Sequence, residues 1–422
     1  MSDRKWINEL RVLQAKQAGR DVTGERALRL SMAELWGHLR SCPNEIAIAF
    51  RQLPEEALVA GAELKRKALA EGLISWGPAK DATEFAREVG SQLWALDTEL
   101  ADRPGFINPP AGPNGYLCRE TDVFVIPRRD AKTLDGRTGP GRGFGRRGTP
   151  HHRILPRLID EYEVRLVWEP RLSAGRIGGQ SHNMGAALLP KMELLPDPEQ
   201  PMWIALSADC PEDGATISRQ VQGCYDDGAF VMVYPELSMP EARRKLLSGA
   251  LEARSRQMEV GKGPAFVAAG SWHDRDADGV RNIMRVLDKT GTERMRYAKS
   301  SAYFRDGVEE GIVLDKVIPV LVNTDFLATF AICLDFCERE LPTPYDRLDV
   351  DLILVASYGN AQTMKGHEAN AGDFRTKLGG QTFVVQHSDT CPNPVGYVLP
   401  APTEGGPHVE DREWSTRSVR FS

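Results

Sequence analysis

A glutamate, a lysine and a cysteine each follow an apolar, strand-like run in this chain. Glu236 follows the run Val-Met-Val-Tyr-Pro, Lys299 follows Met-Arg-Tyr-Ala, and Cys333 follows Leu-Ala-Thr-Phe-Ala-Ile. A side chain at the end of a strand lies at the rim of a sheet, where a substrate can reach it. These three residues are therefore candidates for one shared catalytic site.

Their side chains supply the parts of nucleophilic catalysis. A cysteine attacks only as a thiolate, so it needs a base or a cation nearby. Glu236 fits the base, since an apolar approach raises the proton affinity of a carboxylate, and Lys299 supplies a positive charge for an oxyanion. The trio predicts attack on a carbonyl or nitrile carbon through a covalent thioester. Taken singly, each residue also fits an ordinary position in the core or at the surface.

The composition limits the class of protein. Of 422 residues, 27% are charged and 41% are apolar, and the formal net charge is −6. The length allows two or three domains, and the charge gives no general case for nucleic-acid or membrane binding. No run is long enough for a membrane span, and charged residues lie at the start of the chain, where a signal peptide needs an apolar run. We expect a cytoplasmic protein.

The chain has seven cysteines, an odd number at irregular spacing. Free thiols are therefore expected rather than a disulfide framework. Cys333 and Cys337 form a Cys-x-x-x-Cys pair, but no second Cys or His pair follows at the spacing of a zinc site. The sequence thus predicts no metal site.

Three regions differ in pattern. Apolar residues at helical spacing over 4–17, 25–39, 55–70 and 82–100 predict a helical N-terminal domain over residues 1–102, a packing or partner-binding module. Residues 103–157 are rich in Pro, Gly and Arg and predict a linker or arm, with one short strand at 122–127. From 158 to 422, strand and helix patterns alternate, which is typical of a layered α/β domain.

Seven arginines of the middle segment offer a different interpretation, in which the segment contacts nucleic-acid phosphates. The alternatives are a solvated connector and an arm that orders against a neighbouring subunit, and no nucleic-acid fold signature accompanies the basic residues. These arginines are Arg128, Arg129, Arg137, Arg142, Arg146, Arg147 and Arg153.

Several motifs of the C-terminal half resemble the nitrilase, or carbon–nitrogen hydrolase, superfamily. Tyr234-Pro-Glu236-Leu looks like its base motif, Tyr297-Ala-Lys299 like its lysine motif, and Ala331-Ile-Cys333-Leu-Asp like its nucleophile motif. Asn282-Ile-Met-Arg-Val-Leu-Asp-Lys-Thr-Gly291 is similar to one of its central strands. The resemblance implies a four-layer α-β-β-α sandwich, commonly assembled into dimers or higher homo-oligomers, with no metal and no organic cofactor.

The same resemblance implies roles for individual residues. Glu236 would be the general base, Lys299 the oxyanion stabiliser and Cys333 the nucleophile, with the backbone amide of Leu334 completing the oxyanion hole. Family members usually have a second glutamate between the lysine and the cysteine. Glu310 and Glu309 both fit its spacing, and the sequence does not choose between them.

The chain also departs from the family pattern near the nucleophile. Cys337 takes the position of a usual arginine, and Arg339 comes two residues later. Leu334 stands where true nitrilases have tryptophan, which favours an amide over a nitrile as substrate. The predicted function is hydrolysis of a small non-peptide amide or nitrile. The alternatives are a nitrilase-fold assembly module that works with a nucleic-acid or protein partner through the N-terminal half, and an acyltransferase that uses the same triad.

Overall fold

The computed structural model of the chain describes a defined set of residues. They are residues 3–103, 113–127, 144–169, 172, 181–190, 192–210, 212–258, 263–305, 307–323, 326–339, 343–391, 393–402 and 408–420.

Five helices fill the first hundred residues. They are α1 (Asp3–Ala18), α2 (Glu25–Leu39), α3 (Asn44–Gln52), α4 (Glu55–Ala70) and α5 (Ala82–Ala101). The spacing of apolar residues predicts four of them, and only α3 is missed. This helix has 9 residues and lies between Pro43 and Pro54, so the apolar pattern extends over little more than two turns.

Helix α5 forms the centre of this helical part. Its Val89, Leu93 and Leu96 are completely buried, and it packs against α2, α3 and α4. The helix begins where the side chain of Asp81 accepts a hydrogen bond from the backbone N–H of Glu84 at 2.9 Å, as expected of an N-cap residue. The helical N-terminal region expected from the sequence is therefore present.

A small sheet follows the helices. It consists of β1 (Leu117–Cys118), β2 (Val123–Pro127) and β3 (His152–Pro156), with β2 in the middle. These residues belong to the segment for which the sequence predicts a linker or arm. A single helical turn, α6 (Phe144–Arg147), lies in the run 136–148, whose many glycines and one proline predict no regular element. Residues 136–143 of this run lie outside the described part.

The small sheet is apolar on both faces. Val123 and Val125 pack into the helical core, whereas Phe124 and Ile126 pack into the core of the α/β part. Neighbouring residues of a strand point to opposite faces, so one short strand contributes to both cores.

Arg147 and Arg153 are both buried rather than exposed to a partner. Arg147 donates hydrogen bonds to the carbonyl oxygens of Phe50 and Leu53, and Arg153 Nε lies 3.7 Å from Asp349 Oδ1. Neither side chain is available for phosphate, in contrast to the nucleic-acid interpretation. Arg128, Arg129, Arg137, Arg142 and the side chain of Arg146 lie outside the described residues.

The rest of the described chain is built around two larger sheets. The six-stranded sheet has the order β12-β11-β10-β9-β6-β21, and the eight-stranded sheet has the order β20-β19-β18-β17-β16-β15-β5-β4. The strands, including two separate pairs, are β4 (Leu158–Ile159), β5 (Tyr162–Trp168), β6 (Ser181–Ala187), β7 (Glu193–Pro196), β8 (Ala205–Asp209), β9 (Val231–Val233), β10 (Phe266–Asp276), β11 (Gly279–Leu287), β12 (Glu293–Ala298), β13 (Phe304–Arg305), β14 (Val308–Glu309), β15 (Val317–Val322), β16 (Leu327–Ile332), β17 (Leu352–Gly359), β18 (Gln381–Ser388), β19 (Gly396–Leu399), β20 (Val409–Glu410) and β21 (Trp414–Arg420).

The sequence pattern misses five strands of four residues or more and one long helix of this part. They are β6, β7, β15, β19, β21 and the helix at Ala361–Leu378.

Apolar clusters show how these elements pack. Residues of both sheets, such as Val233 and Phe330, share one core. Helices α7 (Asp213–Asp226) and α8 (Glu241–Gln257) pack on the six-stranded sheet. The one-turn helix α9 (Leu334–Cys337) precedes α10 (Ala361–Leu378), which packs on the eight-stranded sheet. The chain is thus a mixed α/β protein. No helix within the described residues combines the length and apolar character that a membrane crossing requires.

Candidate active site

Cys333 lies at the junction between β16 and α9. Its backbone N–H donates to Ala356 O at 2.8 Å, which continues the parallel pairing of β16 with β17. Its φ of 44° and ψ of −105° are unfavourable for a residue with a side chain. The sharp turn presents the thiol at the carboxyl end of the sheet, and the strand-end position predicted from the sequence is therefore observed.

Glu236 follows β9 and is held by the neighbouring strand β10. Gly270 lies in a β-bulge of β10 with a φ of +56°, and a Cβ atom there would collide with Pro235 O. Only a glycine allows this approach. The backbone N–H of Leu237 donates to Ser271 Oγ at 3.2 Å. The bulge therefore fixes the turn that carries the glutamate.

Lys299 follows β12 and bridges two carboxylates. Its Nζ donates to Glu236 Oε1 at 2.7 Å and to Glu310 Oε2 at 2.7 Å. Glu236, Lys299 and Glu310 are 3%, 1% and 1% exposed, so water screens these charges little. The structure brings Glu310 into the cluster, whereas Glu309 is exposed in the short strand β14.

Two further side chains complete the hydrogen bonding of the carboxylates. Asn282 Nδ2 lies 3.0 Å from Glu236 Oε1 and 3.0 Å from Glu310 Oε1. His273 Nδ1 accepts the backbone N–H of Ala205 at 2.8 Å, so Nε2 bears a proton when the ring is neutral and donates to Glu310 Oε1 at 2.9 Å. Sequence reasoning placed Asn282 in a strand but gave it no role, and it did not single out His273.

The two carboxylates differ in their proton affinity. Burial raises the pKa of Glu236 well above its usual value, against the opposing charge of Lys299. Burial acts in the same direction on Glu310, but the charge of Lys299 and the hydrogen bond from His273 outweigh it, so its pKa is lowered. Two carboxylates whose environments separate their pKa values have separate roles in proton transfer.

The pKa values of Lys299 and Cys333 are also shifted. Burial lowers the pKa of Lys299, but the charges of Glu236 and Glu310 outweigh it and leave the pKa well above its usual value. A hydrogen bond with Cys337, together with burial, raises the pKa of the Cys333 thiol. Lys299 is therefore a cation and Cys333 a neutral thiol near pH 7, and the thiol becomes a thiolate only when a base takes its proton.

A buried carboxylate joins the lysine loop to the cysteine loop. Asp335 Oδ1 accepts the backbone N–H of Ser300 at 3.1 Å, and Oδ2 accepts the hydroxyl of Tyr297 at 2.7 Å and the N–H of Ile332 at 3.2 Å. These bonds fix the residues beside Lys299 and Cys333 in one arrangement. Burial raises the pKa of Asp335.

One cavity of about 720 Å³ contains the whole cluster. Glu236, Lys299, Glu310 and Cys333 all line it. Leu334 also lines the cavity, and its backbone amide lies in the first turn of α9, where N–H groups have no intrahelical acceptor. The other lining residues include Trp203, Tyr303, Cys337, Arg339 and Lys365. The cavity combines a thiol, a base, a cation and room for a small molecule.

No model of a known protein family matches the sequence, and no curated protein matches it. Solved structures do resemble the chain. An amidase from Nesterenkonia sp. is 17% identical, with 59% of this chain and 94% of that chain covered and a TM-score of 0.40. A double mutant of the Nesterenkonia sp. AN1 amidase in complex with acrylamide is 16% identical, with 57% and 90% covered and a TM-score of 0.38.

A further mutant is described as a Nesterenkonia AN1 amidase from the nitrilase superfamily. It is 17% identical, with 57% of this chain and 91% of that chain covered and a TM-score of 0.39. The structural neighbours are thus amidases of the superfamily that the motifs resemble. Because these identities are 17% or lower and the TM-scores 0.40 or lower, the similarity does not identify the reaction of this chain.

Proposed function

We propose that this chain is a carbon–nitrogen hydrolase that cleaves a small non-peptide amide through a thioester on Cys333. The observation that supports it most is the bridging of Glu236 and Glu310 by Lys299 inside the cavity that Cys333 lines. A buried ion cluster of this kind is unfavourable to build unless its charges are well paired, and here it faces a potential nucleophile. We also propose the four-layer α-β-β-α arrangement for the two sheets and the helices that cover them.

In the first half-reaction, Glu236 takes the proton of the thiol while Cys333 Sγ attacks the carbonyl carbon of the amide. The new C–S bond produces a tetrahedral oxyanion, which Lys299 Nζ and the backbone N–H of Leu334 stabilise. Glu236 then passes its proton to the nitrogen. The C–N bond breaks, and ammonia or an amine leaves.

In the second half-reaction, water replaces the departed amine. Glu236 takes a proton from the water, whose oxygen attacks the thioester carbon. The C–S bond breaks, the acid leaves, and the proton returns to the sulfur. Glu310 keeps its charge throughout, since its pKa is lowered, and it holds Lys299 in place. Leu334, rather than the tryptophan of true nitrilases, favours an amide substrate.

The test is replacement of the nucleophile. In Cys333→Ala we expect ammonia release from a panel of short amides to fall by at least about a thousandfold, with the circular dichroism spectrum unchanged. In the intact protein, mass spectrometry after rapid quenching should find an acyl group on the peptide that contains Cys333.

The matched control is Cys42→Ser, which changes a partly buried thiol in the helical part and should keep the full rate. If Cys333→Ala hydrolyses amides as fast as the intact protein, the assignment of the nucleophile is wrong. If neither variant nor the intact protein releases ammonia or forms an acyl adduct with any amide, the proposed reaction is wrong.

A further inference from the structure

A second cysteine and a histidine lie beside the nucleophile. The sulfur atoms of Cys333 and Cys337 and a ring nitrogen of His367 all lie within 4.8 Å of one another. Cys333 directly precedes the single turn α9, Cys337 is the last residue of that turn, and the histidine comes from α10. Gly366 allows the two helices to approach, since a Cβ atom there would lie 2.7 Å from Cys337 O.

His367 has an unused ring nitrogen. The side chain is 0% exposed, its Nε2 lies 2.9 Å from Ser357 Oγ, and its Nδ1 has no hydrogen-bond partner among the described residues. Buried polar atoms are usually paired. Burial lowers the pKa of His367 to about 3, so the ring is neutral at pH 7. Ser357 Oγ donates its own proton to Gln386 Oε1 at 3.2 Å, so it accepts from the Nε2–H of His367, and Nδ1 of the neutral ring bears the lone pair.

Two thiols and a neutral imidazole are ligands that Zn²⁺ and other thiophilic cations prefer. Tetrahedral zinc with Zn–S bonds of about 2.3 Å and a Zn–N bond of about 2.0–2.1 Å places its ligand atoms about 3.5–3.8 Å apart. The three groups therefore need to approach one another by only about 1 Å. Cys333, Cys337 and Gly366 line the cavity, which leaves the fourth coordination position open to water or a small molecule.

We propose that Cys333, Cys337 and His367 form a binding site for a thiophilic divalent cation, with Zn²⁺ as the preferred ion, and that this ion inhibits the enzyme by occupying the nucleophile. Binding breaks two S–H bonds, forms two Zn–S bonds and one Zn–N bond, and releases two protons to solvent. The two thiolates neutralise the charge of the ion. The inhibition rests on the proposed hydrolase function, whereas the binding does not.

The affinity should increase with pH, because the cation competes with protons for the two sulfurs. The same site offers a reason for Cys337 at a position where an arginine is usual in the family. A guanidinium group cannot bind a cation, whereas a thiol beside the nucleophile can share one with it.

The binding test uses the full chain, freed of metal with EDTA, dialysed and kept reduced. Zn²⁺ is titrated in competition with a chromophoric chelator, and Co²⁺ is used as a spectroscopic probe of thiolate coordination. We expect one Zn²⁺ per chain and the charge-transfer absorption of Co²⁺ bound to sulfur. Cys337→Ser and His367→Ala should each weaken Zn²⁺ binding by at least about tenfold, whereas Cys42→Ser should not change it.

Inhibition is measured separately from binding. Zn²⁺ should slow alkylation of Cys333 and Cys337 by iodoacetamide but not that of Cys42, and added EDTA should restore the rate. With an amide substrate, Zn²⁺ should inhibit the intact protein at lower concentrations than Cys337→Ser, each compared with its own rate without metal. Cys337 is partly exposed, so Cys337→Ser remains a valid test if His367→Ala does not fold.

The site is wrong if the intact protein binds less than one Zn²⁺ per chain, or if Cys337→Ser binds Zn²⁺ as tightly as Cys42→Ser. Zinc binding and thiol protection without any amide hydrolysis would confirm the site and contradict the proposed function. Amide hydrolysis without zinc binding would support the proposed function and contradict the zinc site.

Discussion

Asn282 donates to both carboxylates of the candidate site, at 3.0 Å in each case. Its amide stabilises the ionised form of Glu236, so replacing it by leucine should raise the pKa of that carboxyl further. Glu236 must be ionised to accept the thiol proton. We therefore expect the rise of Cys333 alkylation with pH to move to higher pH in Asn282→Leu, with a rate at pH 7 on the order of tenfold lower.

Alkylation by iodoacetamide across pH 5–9, followed by peptide mass spectrometry, measures this directly and needs no substrate. Cys42 in the same sample is the internal control, since it lies in the helical part and its profile should not change. A Cys333 profile that is identical in the intact protein and in Asn282→Leu would mean that the amide does not influence the base.

The residues that sequence reasoning found and missed differ in a physical way. Glu236, Lys299 and Cys333 each lie one to three residues beyond the end of a strand, and strand ends are visible in a pattern of apolar residues. Asn282 lies inside β11, at a buried position of a strand that alternates between buried and partly exposed residues. A polar residue on the buried face was a usable signal. His273 lies in β10, where all eight residues up to and including it are buried, so no alternation of buried and exposed positions marks it.

The second glutamate could not be chosen because Glu309 and Glu310 are neighbours at the end of a short strand. Adjacent residues of an extended chain point in opposite directions, and the direction depends on pairing with distant segments. Trp203 forms an isolated bridge with Glu310, and the N–H of Glu310 donates to Tyr303 O at 2.7 Å. Neither contact is visible in one sequence.

The proximity of His367 to the two cysteines was not predicted either, because the histidine is 30 residues beyond Cys337 and only the folded chain brings them together.

At the scale of elements, the bulge in β10 sets the position of Glu236. A methyl group at residue 270 would contact Pro235 O and Ser238 Oγ, at a φ of +56° that disfavours side chains. We expect Gly270→Ala to lower the free energy of unfolding by about 1–3 kcal/mol and to reduce Cys333 alkylation at pH 7, because the turn that carries Glu236 must move. Urea unfolding and the alkylation assay measure the two effects.

Gly249→Ala is the matched control. Gly249 is an exposed residue of α8, and a Cβ atom there has no atom within 4 Å. The change should raise the free energy of unfolding by about 0.5–1 kcal/mol and leave alkylation unchanged. Equal behaviour of the two alanine variants would contradict the role given to the bulge.

The sequence predicts the bounds of helices best where apolar residues recur at helical spacing over a long, uninterrupted stretch. The bounds of α2 and α4 agree with the sequence expectation at both ends. Strands β6 and β21 pair with each other at the edge of the six-stranded sheet, and their residues are largely small or polar, so no apolar run marks them. Tertiary pairing, rather than intrinsic preference, determines such strands.

At the scale of the whole molecule, buried histidines make stability depend on pH. Burial lowers the pKa of His152, His367 and His387. An unfolded histidine takes up a proton near pH 6.5, whereas the folded protein cannot, so this contribution to stability is lost as pH falls below about 6.5. For His367, with a pKa of about 3, the loss at pH 5 is roughly 2 kcal/mol.

Glu236 acts in the opposite direction. Its pKa is raised in the folded protein, so the folded protein binds this proton more tightly than the unfolded chain, and the corresponding stability is lost as pH rises. We therefore expect Glu236→Gln to show a steeper loss of stability than the intact protein between pH 7.5 and 5. Urea unfolding at each pH measures this, and a variant whose stability is constant over that range would contradict it.

The small sheet connects the cores of the molecule. His152 Nδ1 lies 2.7 Å from Asp97 Oδ1 of α5, and the next residue, Arg153, lies near Asp349 beside the eight-stranded sheet. Strand β3 thus contacts a carboxylate of the helical part through His152 and a carboxylate beside the eight-stranded sheet through Arg153. The Pro- and Gly-rich composition of residues 103–157 predicts a linker or arm, and composition alone does not show what a short apolar run packs against.

The backbone at Cys333 has a consequence for attempts to make the protein more robust. Glycine adopts a φ of 44° with less strain than cysteine. A glycine at position 333 should therefore make the folded protein more stable. A selection for heat resistance alone would favour this exchange, and under the proposed function it would collect inactive chains. If Cys333 is the nucleophile, laboratory evolution of this protein has to select for turnover and heat resistance together, because the two requirements then favour different amino acids at this position.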